Sequence, residues 1–353
     1  MANSEANGEP RGERTATTMI GTKPLVWVLG TGGTVSSWGS PRLVFFDYGR
    51  SRERLGASKI LERVPEIDEY ARIQTEQVTQ AKSGNIGPSG WLRLSKRINE
   101  ILHDSEEASG VVVFHGTSSM EETAYWLNLT VRSAKPVVLT GAMRPPSALS
   151  TDADNNLLRA VILARSEEAH EMGVMIMLND EIHAAREVTK RNSYRLETFG
   201  TRDLGMLGYL DSDLKAVFYR TPRRRHTFQS EFDVGRLTEL PRVDIIYGYE
   251  GADGLLVRAL IDAKVPGIVL AGMGGGGVGD ELMKILVEAR HNGAVVVVTT
   301  RTGSGRVIRT ARHQADGLIA GDNLSPQKAR ILLQLALTTT KDVEQIQHIF
   351  EVY

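Results

Sequence analysis

The sequence predicts an α/β fold in two domains, a larger N-terminal one built on a mainly parallel sheet and a smaller C-terminal one. Three observations carry that expectation. The chain has 353 residues, more than a single hydrophobic core usually organises. Apolar runs of strand length alternate with helical patterns, as βαβ crossovers require. Two of those runs break into glycines and hydroxyls at their carboxyl ends, where an open parallel sheet presents its chemistry.

Taken in order, strands are expected at residues 25–29, 111–114, 137–140, 174–178 and 216–219, with helices at 91–102, 122–131 and 155–165 between them. Arg220-Thr-Pro-Arg-Arg-Arg-His226 interrupts the alternation. Its proline and crowded cations read as a solvated linker and not as a nucleic-acid patch. Beyond Leu240-Pro241, strands at 243–247, 267–270 and 295–299 and helices near 254–263, 280–291 and 325–339 form the second α/β unit. The expected organisation is a disordered tail over 1–23, an N-terminal domain over 24–219, a linker over 220–240 and a C-terminal domain over 241–353. No internal repeat is evident.

Composition narrows the function. The formal net charge of -1 gives no electrostatic reason to expect nucleic acid or an anionic membrane as a partner. There is no cysteine, which excludes disulfides, thiol catalysis and Cys-ligated zinc and is compatible with a reducing cytoplasm. Residues 1–23 are polar and lack the apolar core of a signal peptide. No stretch has the length of a membrane span. No His, Asp and Glu cluster has metal-ligand spacing, so neither a metal nor another cofactor is expected. A cytoplasmic enzyme with a small-molecule substrate is the reading.

The first chemical motif is Gly30-Thr31-Gly32-Gly33-Thr34, directly after the apolar run that begins at Leu25. Its glycines allow positive φ and a close backbone approach. The second is His115-Gly116-Thr117-Ser118-Ser119, after Val111-Val112-Val113-Phe114. It leads into Met120-Glu121-Glu122, an acidic first turn of the kind a helix dipole favours.

Thr31-Gly-Gly-Thr34, His115-Gly-Thr117, Met120-Glu-Glu-Thr-Ala124 and Lys135-Pro-Val-Val-Leu-Thr-Gly-Ala-Met-Arg144-Pro resemble the signature blocks of the bacterial-type L-asparaginase/glutaminase family, in the family's order. The resemblance continues through Tyr219 to His226, Phe232-Asp-Val, Ala271-Gly-Met-Gly and Leu324-Ser-Pro-Gln-Lys-Ala-Arg330, and so covers nearly all of residues 24–353. It implies the two-domain asparaginase-like fold and metal-free hydrolysis of an amide. The nucleophile it implies is Thr34, hydrogen-bonded to Tyr48 on a mobile loop, with a second hydroxyl–amine relay formed by Thr117 and Lys135. Burial can make a lysine a base by destabilising its ammonium. Gly116 and the amides around Thr117 are implied oxyanion or carboxylate donors, and Ser83 and Gly84 hold the substrate's α-carboxylate. His115 is expected to shape its turn by packing. The resemblance also implies a homo-oligomer, a tetramer built from dimers, with residues 306–312 reaching a neighbour's site.

Departures from the family pattern bear on the substrate. Ser118 stands where the family has an aspartate that binds the substrate's α-ammonium, and Gly275 where it has an asparagine. The segment expected to supply a neighbour's glutamate contains Arg306, Arg309 and Arg312 instead. A buried ammonium without partners is costly. The lid is apolar and aromatic, with Trp38, Phe45 and Phe46. Together these features favour an N-acyl or arylacetyl aspartate or asparagine as substrate. Free asparagine or glutamine, as for an ordinary L-asparaginase/glutaminase, is the alternative, and a catalytically inactive binding protein of the same fold the second alternative.

Overall fold

The computed structural model describes residues 23–48, 54–81 and 84–353. The expected tail, apart from Lys23, and Ser83 lie outside the described residues. The N-terminal unit holds β1 (Leu25–Gly32), β2 (Arg72–Ala81), β3 (Ala108–Phe114), β4 (Val137–Thr140), β5 (Val174–Leu178) and β6 (Glu181–Ala184). A separate antiparallel ribbon follows, β7 (Val188–Lys190) with β8 (Phe199–Thr201), and then β9 (Gly208–Leu210) and β10 (Ala216–Phe218). The main sheet runs β10-β9-β6-β5-β4-β3-β1-β2; its β2 to β5 side is parallel and its far edge antiparallel.

Central strands are apolar throughout because both faces are covered. Val26 and Val28 of β1, like Val112 and Phe114 of β3, point into one core with the helices α1 (Ala57–Leu61) and α4 (Ala153–Ala164). Leu29, Val111 and Val113 point the other way, onto α2 (Gly87–Asp104) and α3 (Met120–Thr130). That two-residue alternation is the pleat of a strand read from its packing.

The C-terminal unit is a parallel four-stranded sheet in sequence order, β11 (Val243–Tyr247), β12 (Gly267–Gly272), β13 (Val295–Thr300) and β14 (Ile319–Ala320). It carries α5 (Leu255–Asp262), α6 (Asp280–His291), α7 (Ala311–Ala315), α8 (Pro326–Ala336) and α9 (Val343–Val352). Helix α8 packs on both α3 and β12, so one apolar core runs from Leu29 and Trp126 through to Val269 and Leu332.

The structure differs from the sequence reading in two places. The ten-residue β2 carries no apolar run, being an edge strand whose one buried side chain is Val78. Residues 220–226 are only in part a solvated linker: Thr221, Arg223 and Arg225 are exposed, but the others are tied down. Arg220 pairs with Glu187 at 2.7 Å, Arg224 with Asp322 at 2.8 Å, and His226 is buried. Phe232 and Val234 continue into the shared core, so the connection is a packed strap between the units.

Candidate active site

Chain order places the site before any side chain is considered. From β1 the chain crosses to β2 on one side and then to β3 on the other, so the loops after β1 and β3 diverge around a crevice at the carboxyl edge of the sheet. Two glycines let those loops meet. Gly33 has φ +93°, and a Cβ added there would stand 2.3 Å from the Cα of Gly116. Only a residue without a side chain fits both the backbone and the contact. Thr31 ties the same loops together by donating from Oγ1 to the Phe114 carbonyl at 2.6 Å, so it is a structural hydroxyl.

Thr34 opens the short turn Thr34–Ser36 and is buried. Its Oγ1 lies 2.7 Å from the Tyr48 hydroxyl, joining the two residues as expected. Thr117, also buried, lines the same cleft of about 350 Å3 with Thr34, Tyr48, Gly33 and Ser118. Its Oγ1 accepts a hydrogen bond from a lysine, and that lysine is Lys190, at 2.8 Å.

Lys135 does not reach Thr117. Its Nζ donates to the carbonyls of Ser105, at 3.0 Å, and Glu106, at the opposite end of the sheet. Register explains why. Val137 of β4 lies beside Val111 of β3, and Lys135 precedes the first of these while Thr117 follows the end of β3 at Phe114. Roughly 17 Å of strand separates the level of Lys135 from Phe114, at about 3.3 Å per residue. A lysine just before one parallel strand cannot serve a loop just after its neighbour.

Lys190 ends β7 and is held from behind by Glu121. One carboxylate oxygen of Glu121 accepts from the Lys190 amide at 2.7 Å and the other from the Gln327 side chain. Burial lowers the Lys190 pKa below the ordinary lysine value, and the Glu121 charge opposes that shift. The spacing pattern gave no sign of this residue, because β7 is three residues long and its partner β8 arrives after a loop.

His115 is fully enclosed. Its Nδ1 lies 2.8 Å from the Gly116 carbonyl and its Nε2 2.9 Å from the Thr123 hydroxyl, which also accepts from Trp91. Burial drops its pKa to about 4, so it is neutral at physiological pH and shapes the turn, as expected. Asp152 accepts from the amides of Met143 and Arg144, both at 2.9 Å, and fixes the loop after β4 that brings Met143 to the cleft. Gly84 has φ +88° and is exposed. It comes after β2, whose last residue Ala81 pairs with Gly32, so β2 ends at the same edge of the sheet as β1.

The lid aromatics divide. Phe45 and Phe46 line the cleft, together with Tyr194, which the sequence reading missed. Trp38 instead stacks under the Arg63 guanidinium, 5.7 Å from the ring centre, and so belongs to the packing. Arg54 joins Lys190 as a second cation on the wall, and no carboxylate lines the cleft among the described residues. In the segment 306–312, Arg306 pairs with Asp322, Arg309 with Glu344 and Arg312 with Asp316 within the same chain. No group of three or more His, Asp or Glu side chains is placed to hold a metal, and no helix is long and apolar enough to cross a membrane, among the described residues.

This switch-point cleft brings two buried threonines into hydrogen bonds with a tyrosine hydroxyl and a lysine amine, the kind of pairing that hydroxyl nucleophiles use. Comparison with known proteins gives the family. Residues 25–224 match the family model "Asparaginase, N-terminal" and residues 242–350 the model "Glutaminase/Asparaginase C-terminal domain". The chain belongs to the asparaginase/glutaminase family and is an amidohydrolase acting on carbon–nitrogen bonds. It is 41% identical to L-asparaginase 2 of Bacillus subtilis over 94% of this chain and 87% of that protein. To the glutaminase-asparaginase of Pseudomonas fluorescens it is 37% identical, over 93% of this chain and 90% of the other. The crystal structure of a probable cytoplasmic L-asparaginase from Campylobacter jejuni superposes with a TM-score of 0.89 at 40% identity, covering 94% of this chain and 100% of that one.

Proposed function

We propose that the protein hydrolyses the side-chain amide of asparagine or glutamine with Thr34 as nucleophile, reversing the order of preference that the motif departures suggest. The observation that carries this is the pairing of Thr34 with Tyr48 and of Thr117 with Lys190 in one cleft. Tyr48 takes the Thr34 proton as Oγ1 bonds to the amide carbon. The proton then passes to the departing nitrogen as the carbon–nitrogen bond breaks, releasing ammonia and leaving an ester on Thr34. Thr117 and Lys190 activate the water that cleaves this ester; a neutral Lys190 accepts the proton, which its depressed pKa favours. Gly116 and its neighbouring amides supply donors for the oxyanion. The names of the relatives support the reaction, and likeness to the Campylobacter jejuni protein supports a cytoplasmic place for it. Mass spectrometry of an acid-quenched reaction should find the acyl adduct on Thr34. An adduct on Thr117, or turnover unchanged in Thr34→Ala, would overturn the assignment.

A second reading rests on a specific observation. The cleft wall carries the cations Arg54 and Lys190 and the aromatic rings of Phe45, Phe46 and Tyr194. Such a wall repels a free α-ammonium and suits an N-acylated aspartate or asparagine, whose nitrogen is neutral and whose acyl group is apolar. Comparing kcat/KM for free asparagine with that for a panel of N-acyl and arylacetyl derivatives decides between the two. If asparagine exceeds every derivative, the second reading is lost. We further propose that the enzyme works as a homo-oligomer.

A further inference from the structure

Among the described residues the C-terminal unit lines no part of the cleft, yet it reaches Lys190 from behind. Glu121, in the first turn of α3, lies between the two units and is only 7% exposed. Both of its carboxylate oxygens are engaged. One accepts from the Lys190 amide at 2.7 Å, and the other from the side-chain amide of Gln327, the second residue of α8. The next residue of α8 tightens the same tie. Lys328 is buried, and its Nζ donates to the carbonyls of Ala185, Arg186 and Val188, the chain that leads into β7 and begins it. A neutral amine keeps two N–H donors, so most of this grip survives loss of the Lys328 proton. Two adjacent residues of one helix therefore hold β7, one by its backbone and one through the carboxylate beside its last residue.

The tie through Glu121 bears on the amine itself, an inference that rests on the reading of Lys190 as the base for Thr117. Lys190 Nζ donates to Thr117, and the charge of Glu121 opposes the burial-driven fall in the Lys190 pKa. A carboxylate bonded directly to Nζ would favour the ammonium far more strongly, and an ammonium accepts no proton. The other ionisable groups facing Lys190 in the cleft are Arg54, Tyr48 and Tyr194. Those facing Glu121 are Glu122 beside it on α3, Arg202 after β8 and Lys328 on α8. Without Gln327, one oxygen of this buried carboxylate loses its donor, and an unpaired buried charge is costly. Lys328 already spends its donors on three carbonyls. A turn of the freed oxygen toward Lys190 Nζ, or a less compensated charge beside it, favours the ammonium in either case.

We propose that Gln327 is a positioning residue for the reaction: it commits Glu121 to α8, keeps that carboxylate off the Lys190 amine and leaves the amine to Thr117. The C-terminal unit thereby governs a proton acceptor in a cleft that it does not line.

The test compares full-length wild type with Gln327→Leu, measuring kcat/KM for asparagine across pH. The rising limb is expected to move up by about one pH unit, so that the variant loses about tenfold below the limb and little above it. Glu121→Gln removes the charge but keeps an acceptor for the Lys190 amide, and should move the limb down. Gln327→Leu combined with Glu121→Gln should lose the upward shift. A second readout bypasses catalysis: acetic anhydride acetylates only neutral amines, so the pH midpoint of Lys190 labelling, read by peptide mass spectrometry, should follow the same shifts. Gln327→Met, nearer in length, takes the place of Gln327→Leu if the latter does not fold. A loss of rate equal at every pH with an unmoved labelling midpoint would overturn the inference, since Gln327 would then only support the fold. An unmoved midpoint with unchanged rate would overturn it too, with Arg202 answering the freed oxygen. A midpoint that moves while the rate limb stays would uphold the hold on the amine and overturn Lys190 as the base.

Discussion

At the scale of single residues, the proposed mechanism depends on which lysine meets Thr117. Lys190 does so at 2.8 Å with its ammonium destabilised by burial, while Lys135 rests on two carbonyls at the other end of the sheet. Lys190→Met is expected to lower kcat/KM by about 10²–10⁴-fold, the usual contribution of a general base. Lys135→Met should remain within a few-fold of wild type. Steady-state ammonia release for the pair checks both, and equal losses would return Lys135 to the mechanism. The pH profile follows from the same shift. In the proposed mechanism the neutral amine is the active form, and burial lowers its pKa, so kcat/KM should rise with pH along a limb centred below the usual lysine value of 10.5. That Thr34, Tyr48 and Thr117 would meet in one cleft was legible through the family resemblance, whose blocks fall at strand ends and in the lid. The place of Lys190 was not, because it comes from a strand-and-ribbon arrangement that the local apolar pattern does not mark. The exclusion of Lys135 was within reach: a residue that precedes a parallel strand faces the wrong edge.

At the scale of elements, the site depends on the loops after β1 and β3 approaching more closely than side chains allow. Gly33→Ala would force a Cβ to 2.3 Å from Gly116 at φ +93°. The backbone strain alone costs on the order of 1–3 kcal/mol, and the loop must also move. Because displacements near 1 Å can cost about a hundredfold in rate, kcat should fall further than stability does. Chemical denaturation and steady-state kinetics on the same preparation separate the two losses; a variant with wild-type kcat would show that the loops need not touch. His115 offers an independent check on the β3 turn. Its folded pKa, about 4, lies below the ordinary 6.5, so the unfolded chain binds the proton more readily. The stability it contributes is full above about pH 6.5 and is lost as pH falls toward 4, by a few kcal/mol in order of magnitude. His115→Gln should flatten that part of the stability–pH curve. Central strands such as β3 and β5 were legible from their unbroken apolar runs. β2 was not, since an edge strand buries too little to leave a pattern, and the strap at 220–226 was hidden because arginines in ion pairs look like solvated ones.

At the scale of the whole molecule, the cleft is one-sided. Among the described residues, every one that lines it, from Gly33 to Tyr194, belongs to the N-terminal unit, and none comes from the C-terminal unit of the same chain. That C-terminal unit exposes Tyr247, Tyr249, Leu255 and Leu256, with the two leucines 68% and 62% accessible. Large apolar side chains grouped in this way mark a surface that another chain covers, and a second copy of this protein is the proposed cover. Charges placed there should separate the copies, because an unpaired carboxylate buried in an interface costs several kcal/mol. Leu255→Glu combined with Leu256→Glu is therefore expected to sediment as a smaller species than wild type. If a neighbour completes the cleft, that species should lose at least about tenfold in kcat/KM while its far-ultraviolet circular dichroism stays unchanged. Raising the concentration of the single variant Leu256→Glu should restore both size and activity together, as mass action requires. A dissociated protomer with wild-type activity would show that the cleft works alone and that the exposed leucines serve assembly without serving the reaction.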